Sequence, residues 1–150
     1  IVTKDGKDIV TDIDISVEKE LNNILPKLIQ NSNFIGEESY AKNNNILNYY
    51  LSEDYCWTVD PIDGTSNFAK SKDRFAVMIA LTKSTEIIQS FIYKPLNEDF
   101  MHADLSGTYL NNNKIIRIFF MLYYFIKDGL FSGIYYYKVI DIQRKANRNI

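Results

Sequence analysis

The chain has one cysteine, one histidine, three prolines and six glycines among its 150 residues. Cys56 has no partner for an internal disulfide, so a reducing, cytoplasmic setting is expected. With Cys and His so scarce, carboxylate and carbonyl oxygens are the only plentiful metal donors, which favours Mg²⁺ or Mn²⁺ over zinc. The low glycine and proline content excludes collagen-like and low-complexity chains. Neither sign of charge dominates: Lys plus Arg is 17, Asp plus Glu is 19, and the net charge is -2. That balance does not mark nucleic acid or an anionic membrane as the main partner. The most apolar run, Ile115 to Ile126, contains Arg117 and meets Lys127 and Asp128. It falls short of the roughly 20 apolar residues a transmembrane helix needs, so no membrane span is expected. No charged segment leads into an apolar one at the start, so no signal peptide is expected. The first residue is Ile1 rather than Met, and we expect a fragment, a processed product or a trimmed chain.

What is present is an ordinary globular composition, 46% hydrophobic and 24% charged, enough for one sizeable core. Ile13, Val17, Leu21, Ile24, Leu25 and Leu28 recur at helical spacing, with Ser16, Glu18, Lys19 and Asn22 between them. Asp12 and Asp14 are candidate N-caps, and Pro26 is expected to kink the helix or end it early. Phe34-Ile35 reads as a short strand running into Gly36-Glu37-Glu38-Ser39. Asn43 to Tyr50 reads as a weak helix or loop. Cys56 to Val59 reads as an apolar strand that Asp60-Pro61 ends. Phe75 to Thr82, Ile87 to Tyr93, Phe100 to Ala103 and Thr108 to Leu110 read as an antiparallel meander with turns between them. This order of elements predicts an α/β or α+β layered fold.

Chemistry concentrates in Asp60-Pro61-Ile62-Asp63-Gly64-Thr65-Ser66. Two carboxylates three residues apart leave an apolar strand, and hard carboxylate oxygens suit Mg²⁺. Gly64 lets the backbone approach a ligand. Thr65 and Ser66 offer hydroxyl and N–H groups suited to phosphate if a helix begins there. A solvated acidic turn with an Asp cap fits the same residues. Glu37-Glu38 also leaves a short strand; if the two strands are neighbours, their carboxylates converge at one sheet edge, as metal-assisted hydrolysis requires. Asp12-Ile13-Asp14 reads first as helix capping. His102 reads as structural and Cys56 as a buried thiol.

Trp57 to Phe68, WTVDPIDGTSNF, resembles the signature of the inositol monophosphatase family. Lys7 to Asp14 is similar to the segment before that family's long helix, and Phe34 to Ser39 to its first metal-binding segment. Phe75 to Leu81 and Ile87 to Lys114 are similar to the strands after the signature, ending in a Gly-x-Tyr-Leu-Asn turn at Gly107 to Asn111. The resemblance covers Val2 to Lys114. It implies a Mg²⁺-dependent phosphomonoesterase in an α-β-α-β-α sandwich, here incomplete. By resemblance Glu37, Asp60 and Asp63 are metal-ligating carboxylates, and the Ile62 carbonyl is a further ligand. Thr65 with Asp14 orients or deprotonates the attacking water, so Glu37, Thr65 and Asp14 form the implied catalytic set. Gly64, Thr65 and Ser66 hold the phosphate. Glu38 and Asp8 are implied as supporting groups or ligands of a weak third cation. Ser66-Asn67-Phe68 resembles the inositol monophosphatase branch more than the nucleotide bisphosphatase branch, so the expected substrate is inositol monophosphate or a related sugar phosphate. The resemblance also admits a homodimer.

The chain departs from that pattern at both ends. The family's helical portion before Val2 is mostly absent. A later Trp-Asp motif, whose Asp ligates a second metal, has no match, since Trp57 is the single tryptophan. After Lys114 the candidates are Asp128 and Asp141, and neither has the family's context. We therefore expect residues 1–114 to be family-like, and 115–150 to be an unmatched apolar tail with a basic end, Arg144 to Arg148. The expected activity is impaired hydrolysis; a non-catalytic remnant or an interaction fragment is the alternative.

Overall fold

A computed structural model describes residues 2–4 and 8–115. The expectations for the tail therefore lie outside the described residues. Two short strands, β1 (Val2–Lys4) and β2 (Asp8–Val10), form an antiparallel pair that the sequence reading did not foresee. Helix α1 follows (Asp12–Leu28), then β3 (Asn33–Gly36), α2 (Glu37–Lys42), a 3₁₀ turn at Asn44–Ile46, α3 (Leu47–Tyr50) and β4 (Tyr55–Asp63). Helix α4 (Thr65–Ala69) leads to a run of strands: β5 (Ala76–Lys83), β6 (Glu86–Lys94), β7 (Asp99–Asp104), β8 (Gly107–Leu110) and β9 (Asn113–Ile115).

Strands β3 to β9 form one seven-stranded sheet in sequence order. Only the β3–β4 pairing is parallel; the others are antiparallel. The meander is local by construction. Ser84-Thr85 and Asn111-Asn112 are two-residue turns with both φ values positive, the geometry that matches the twist of a hairpin. The parallel pair needs a crossover, and α2 to α3 supply it.

Helix α1 lies against β3 and β4. Leu25 packs there with Trp57, Val59 and Leu81, joined by Leu21, Ile29, Phe34, Ile79 and Phe91. A second cluster, Ala76, Met78, Ile92 and Met101 with Leu110, is built from β5 to β8. The cluster around Leu25 continues along the sheet as ring contacts. His102 stacks on Tyr109 at 4.7 Å between centroids and meets Phe100 at 5.6 Å, so its structural reading stands on these contacts. Cys56 is fully buried.

Several local expectations are corrected. Thr11, not Asp12 or Asp14, caps α1; the Thr11 side chain accepts from the Asp14 N–H while the Asp14 carboxylate accepts from the Thr11 N–H. Pro26 does not end the helix, which runs on to Leu28. Pro61 does not end β4. The strand continues to Asp63, and its register with β5 lapses between Asp60 and Asp63, where a residue without an N–H is tolerated. Glu37 and Glu38 follow directly on the end of β3, as expected, and also form the first turn of α2. Ile13, Ile24 and Leu28, expected on the covered side of α1, are exposed.

Candidate active site

The parallel register determines where the acidic groups meet. Gly36 pairs with Val59, so Glu37, just past the end of β3, and Asp60, the next residue along β4, follow that pair at the same end of the two strands. Asp60 and Asp63, three apart, would face opposite sides of a regular strand; the lapse in register between them removes that alternation. The three carboxylates form an electrostatic cluster. Burial raises Asp60 to about 9, helped by the charges of Glu37 and Asp63, a hydrogen bond to Glu37, and the charge of Asp14. Burial and Glu37 raise Asp63 to about 6. One oxygen of each aspartate, Asp60 Oδ1 and Asp63 Oδ2, is buried without a hydrogen-bond partner. Such groups are costly unless something positive meets them.

Beside this cluster, Gly64 turns the chain with φ 91°, a left-handed conformation that glycine tolerates, and α4 begins at Thr65. The Thr65 hydroxyl lies 2.8 Å from the Ile62 carbonyl and 3.3 Å from Asp14 Oδ1, and donates to one or the other. Asp14, 1% exposed, thus joins α1 to the β4–α4 turn across 51 residues of sequence. The Ile62 carbonyl is the nearer of these two acceptors. The N–H groups of Thr65 and Ser66 open the first turn of α4, where the helix itself offers no acceptors.

Of the residues singled out from sequence, Glu37, Asp60, Asp63, Asp14, Ile62, Gly64 and Thr65 come together, with Ser66 in the adjoining turn. Glu38 is buried, and its N–H points away to Glu18 at 2.7 Å. Asp8 lies in β2, outside the residues whose side chains are described. Among the described residues, no three His, Cys, Asp or Glu side chains close into a ready-made metal cage. The hydrogen bond between Asp60 and Glu37 favours the protonated form of Asp60, as do the neighbouring negative charges. The donor set is nonetheless all oxygen, with Asp60, Ile62 and Asp63 buried and Glu37 at the exposed edge, which fits a hard cation.

Sequence reasoning missed Glu18. It was placed among the polar residues of α1, yet it is 6% exposed. Its carboxylate accepts the N–H groups of Glu38 and Ser39, at 2.7 and 3.0 Å, and the Ser39 hydroxyl. It caps the start of α2 from twenty residues away, and so holds Glu37. Gly36 permits this approach, since a Cβ there would run into the Glu18 carboxylate. A signal existed: Glu18 lies four residues from Asp14, on the face that also carries Leu21 and Leu25.

The fold is a mixed sheet with helices, and its acidic groups gather at one end of the neighbouring strands β3 and β4. The model of the inositol monophosphatase family matches residues 1–118, and the chain belongs to that family. An inositol monophosphatase of Dictyostelium discoideum is 35% identical over 113 residues, covering 75% of this chain and 40% of that protein. The inositol-1-monophosphatase of Caulobacter vibrioides is 32% identical over 117 residues, covering 77% of this chain and 43% of that one. The calcium-bound structure of a family protein from Staphylococcus aureus superposes with a TM-score of 0.63 at 25% identity, covering 73% of this chain and 40% of that one. The chain thus spans about two fifths of the length of the relatives it matches.

Proposed function

We propose that this chain carries the first metal- and phosphate-binding part of a Mg²⁺-dependent phosphomonoesterase acting on inositol monophosphate or a related sugar phosphate in the cytoplasm. The observation that carries the reading is the convergence of Glu37, Asp60 and Asp63, two of them with unpartnered buried oxygens, beside the Thr65–Asp14 contact. The three carboxylates and the Ile62 carbonyl would hold the cation. Mg²⁺ there would supply charge to offset that developing on the phosphoryl oxygens. Gly64, Thr65 and Ser66 would orient the phosphate through their N–H groups. Thr65, its hydroxyl held by Asp14, would align a water for in-line attack and pass its proton towards the buried carboxylate. The calcium in the S. aureus relative supports a divalent ion at this fold.

Residues 1–114 would form the family-like portion, and the family match itself runs to residue 118. The 150-residue polypeptide alone is a poor catalyst, because the two-metal step calls for a further ligand beyond those gathered here. The test is phosphate release from inositol 1-phosphate with Mg²⁺, comparing this chain, its version ending at Lys114 and a full-length family member. Turnover orders of magnitude below the full-length enzyme is expected, each 1.36 kcal/mol of lost transition-state stabilisation being about tenfold. Robust Mg²⁺-dependent turnover by this chain, abolished by Asp63→Asn, would show that it is a sufficient catalyst. Mg²⁺ binding unaffected by Asp60→Asn and Asp63→Asn would overturn the site itself.

A further inference from the structure

Asp14 serves two parts of the fold with its two carboxylate oxygens. Oδ2 accepts the Thr11 N–H at 2.9 Å and the Thr11 hydroxyl. Oδ1 faces the Thr65 hydroxyl at 3.3 Å. The Thr11 hydroxyl in turn accepts the Asp14 N–H at 3.3 Å, so it gives its own hydrogen to the residue whose N–H it caps. Both residues are buried, Thr11 at 8% exposure and Asp14 at 1%, so water competes little for these contacts.

The carboxylate of an aspartate turns about its Cβ–Cγ bond, a torsion with broad preferences. The first turn of α1 fixes Cβ, and two donors converging on Oδ2 fix that torsion. The two oxygens are opposite arms of one plane, so pinning Oδ2 aims Oδ1. A capping box usually carries Glu or Gln at the third helical position. Asp, one methylene shorter, keeps the carboxylate close to the backbone that holds it. The chemical type of the cap matters as well. Asn caps a helix as well as Thr does, but the amide oxygen that accepts carries no hydrogen to return to the carboxylate. We propose that Thr11 is a positioning residue: through the Asp14 carboxylate, its hydroxyl directs Oδ1 at Thr65 and so sets the Thr65 hydroxyl for the attacking water. The use made of Thr65 rests on the phosphatase reading, whereas the link from Thr11 through Asp14 to Thr65 is a property of the fold.

A double-mutant cycle on the full chain, read by metal-free urea unfolding, tests that link. Thr65→Val should lower the folding equilibrium constant about fivefold more in the parent than in the Thr11→Val background. Loss of the Thr65 contact with the Ile62 carbonyl is common to both arms and cancels. The Thr11 N–H remains in every variant, so the cycle isolates the hydroxyl. Thr11→Ser should preserve the coupling. Thr11→Asn should keep the helical far-UV signal of the parent yet lose the coupling. In Mg²⁺-dependent phosphate release from inositol 1-phosphate, Thr11→Val and Thr11→Asn should lower kcat about tenfold with KM within about twofold, and Thr11→Ser should retain the parental kcat. Additivity of Thr11→Val and Thr65→Val within about twofold, or coupling that survives Thr11→Asn, would overturn the proposal and leave Thr11 a helix cap alone. The cycle needs neither metal nor substrate. A parent chain without turnover, or Mg²⁺ binding indifferent to the site aspartates, therefore bears on the phosphatase reading alone, and the coupling then decides on Thr11.

Discussion

Replacing Glu18 by glutamine tests whether the buried carboxylate on α1 builds the start of α2. Glu18 uses both oxygens: Oε2 accepts the Glu38 N–H at 2.7 Å, and Oε1 accepts the Ser39 N–H at 3.0 Å and the Ser39 hydroxyl. Gln is nearly isosteric but keeps one oxygen. Whichever way the amide turns, its NH₂ must face a backbone N–H, so one charge-assisted contact is lost and one donor is left buried. Hydrogen bonds to charged groups contribute about 1.5–3 kcal/mol each, and an unsatisfied buried donor costs a further 1–3, so a loss of roughly 2–4 kcal/mol follows after partial relaxation. For a chain of this length that is a fall of about 6–12 °C in melting temperature. Urea denaturation followed by far-UV circular dichroism measures it, with an unchanged denaturant slope as the control. Because Glu37 is the first residue of α2, Mg²⁺ affinity should fall as well, although Glu18 is not among the proposed ligands. A stability loss below about 0.5 kcal/mol would place this substitution with ordinary surface changes and refute the capping argument.

Both site aspartates have raised pKa values, Asp60 about 9 and Asp63 about 6, so the metal-free folded state binds protons that the unfolded chain releases near 3.8. Their contribution to stability is therefore fully present below about pH 4 and is lost as pH rises, first through 6 and then through 9. Metal-free urea titrations should show this decline flattened in Asp60→Asn; parallel pH profiles for the two proteins would contradict the shift. Mg²⁺ should protect the chain against thermal unfolding more at pH 8 than at pH 5, because it competes with protons for the same oxygens. Calorimetric titration should find no tight zinc binding at this site, and strong zinc binding indifferent to Asp60→Asn would refute an all-oxygen centre. Gly36→Ala should destabilise by about 1–3 kcal/mol, since its Cβ must displace the Glu18 carboxylate; a neutral effect in the same urea assay would show that this close approach is not required.

The sequence by itself determined the features that depend on near neighbours. The apolar repeat from Ile13 to Leu28 specifies α1, since the residues that interact sit three and four apart. Alternation and turn residues specify β5 to β8 in the same way. The scarcity of Cys and His determined an oxygen-only donor set, and the Asp60 to Ser66 motif carried the candidate site and the family. Tertiary structure decided what depends on residues far apart in the chain. The parallel β3–β4 pairing sets Glu37 beside Asp60, and that pairing is legible only once the crossover is built. The lapse in register at Pro61 lets Asp63 join them, against the local expectation that the strand would end. Glu18 and Asp14 share a helix face with Leu21 and Leu25, but their partners, Ser39 and Thr65, lie 21 and 51 residues away. The proton affinity of Asp60 is likewise a property of the assembled sheet edge, because burial and neighbouring charge arise only when separate segments meet. Short-range pattern encodes elements, whereas the field inside a site is the sum over groups that folding alone brings within a few ångströms of one another.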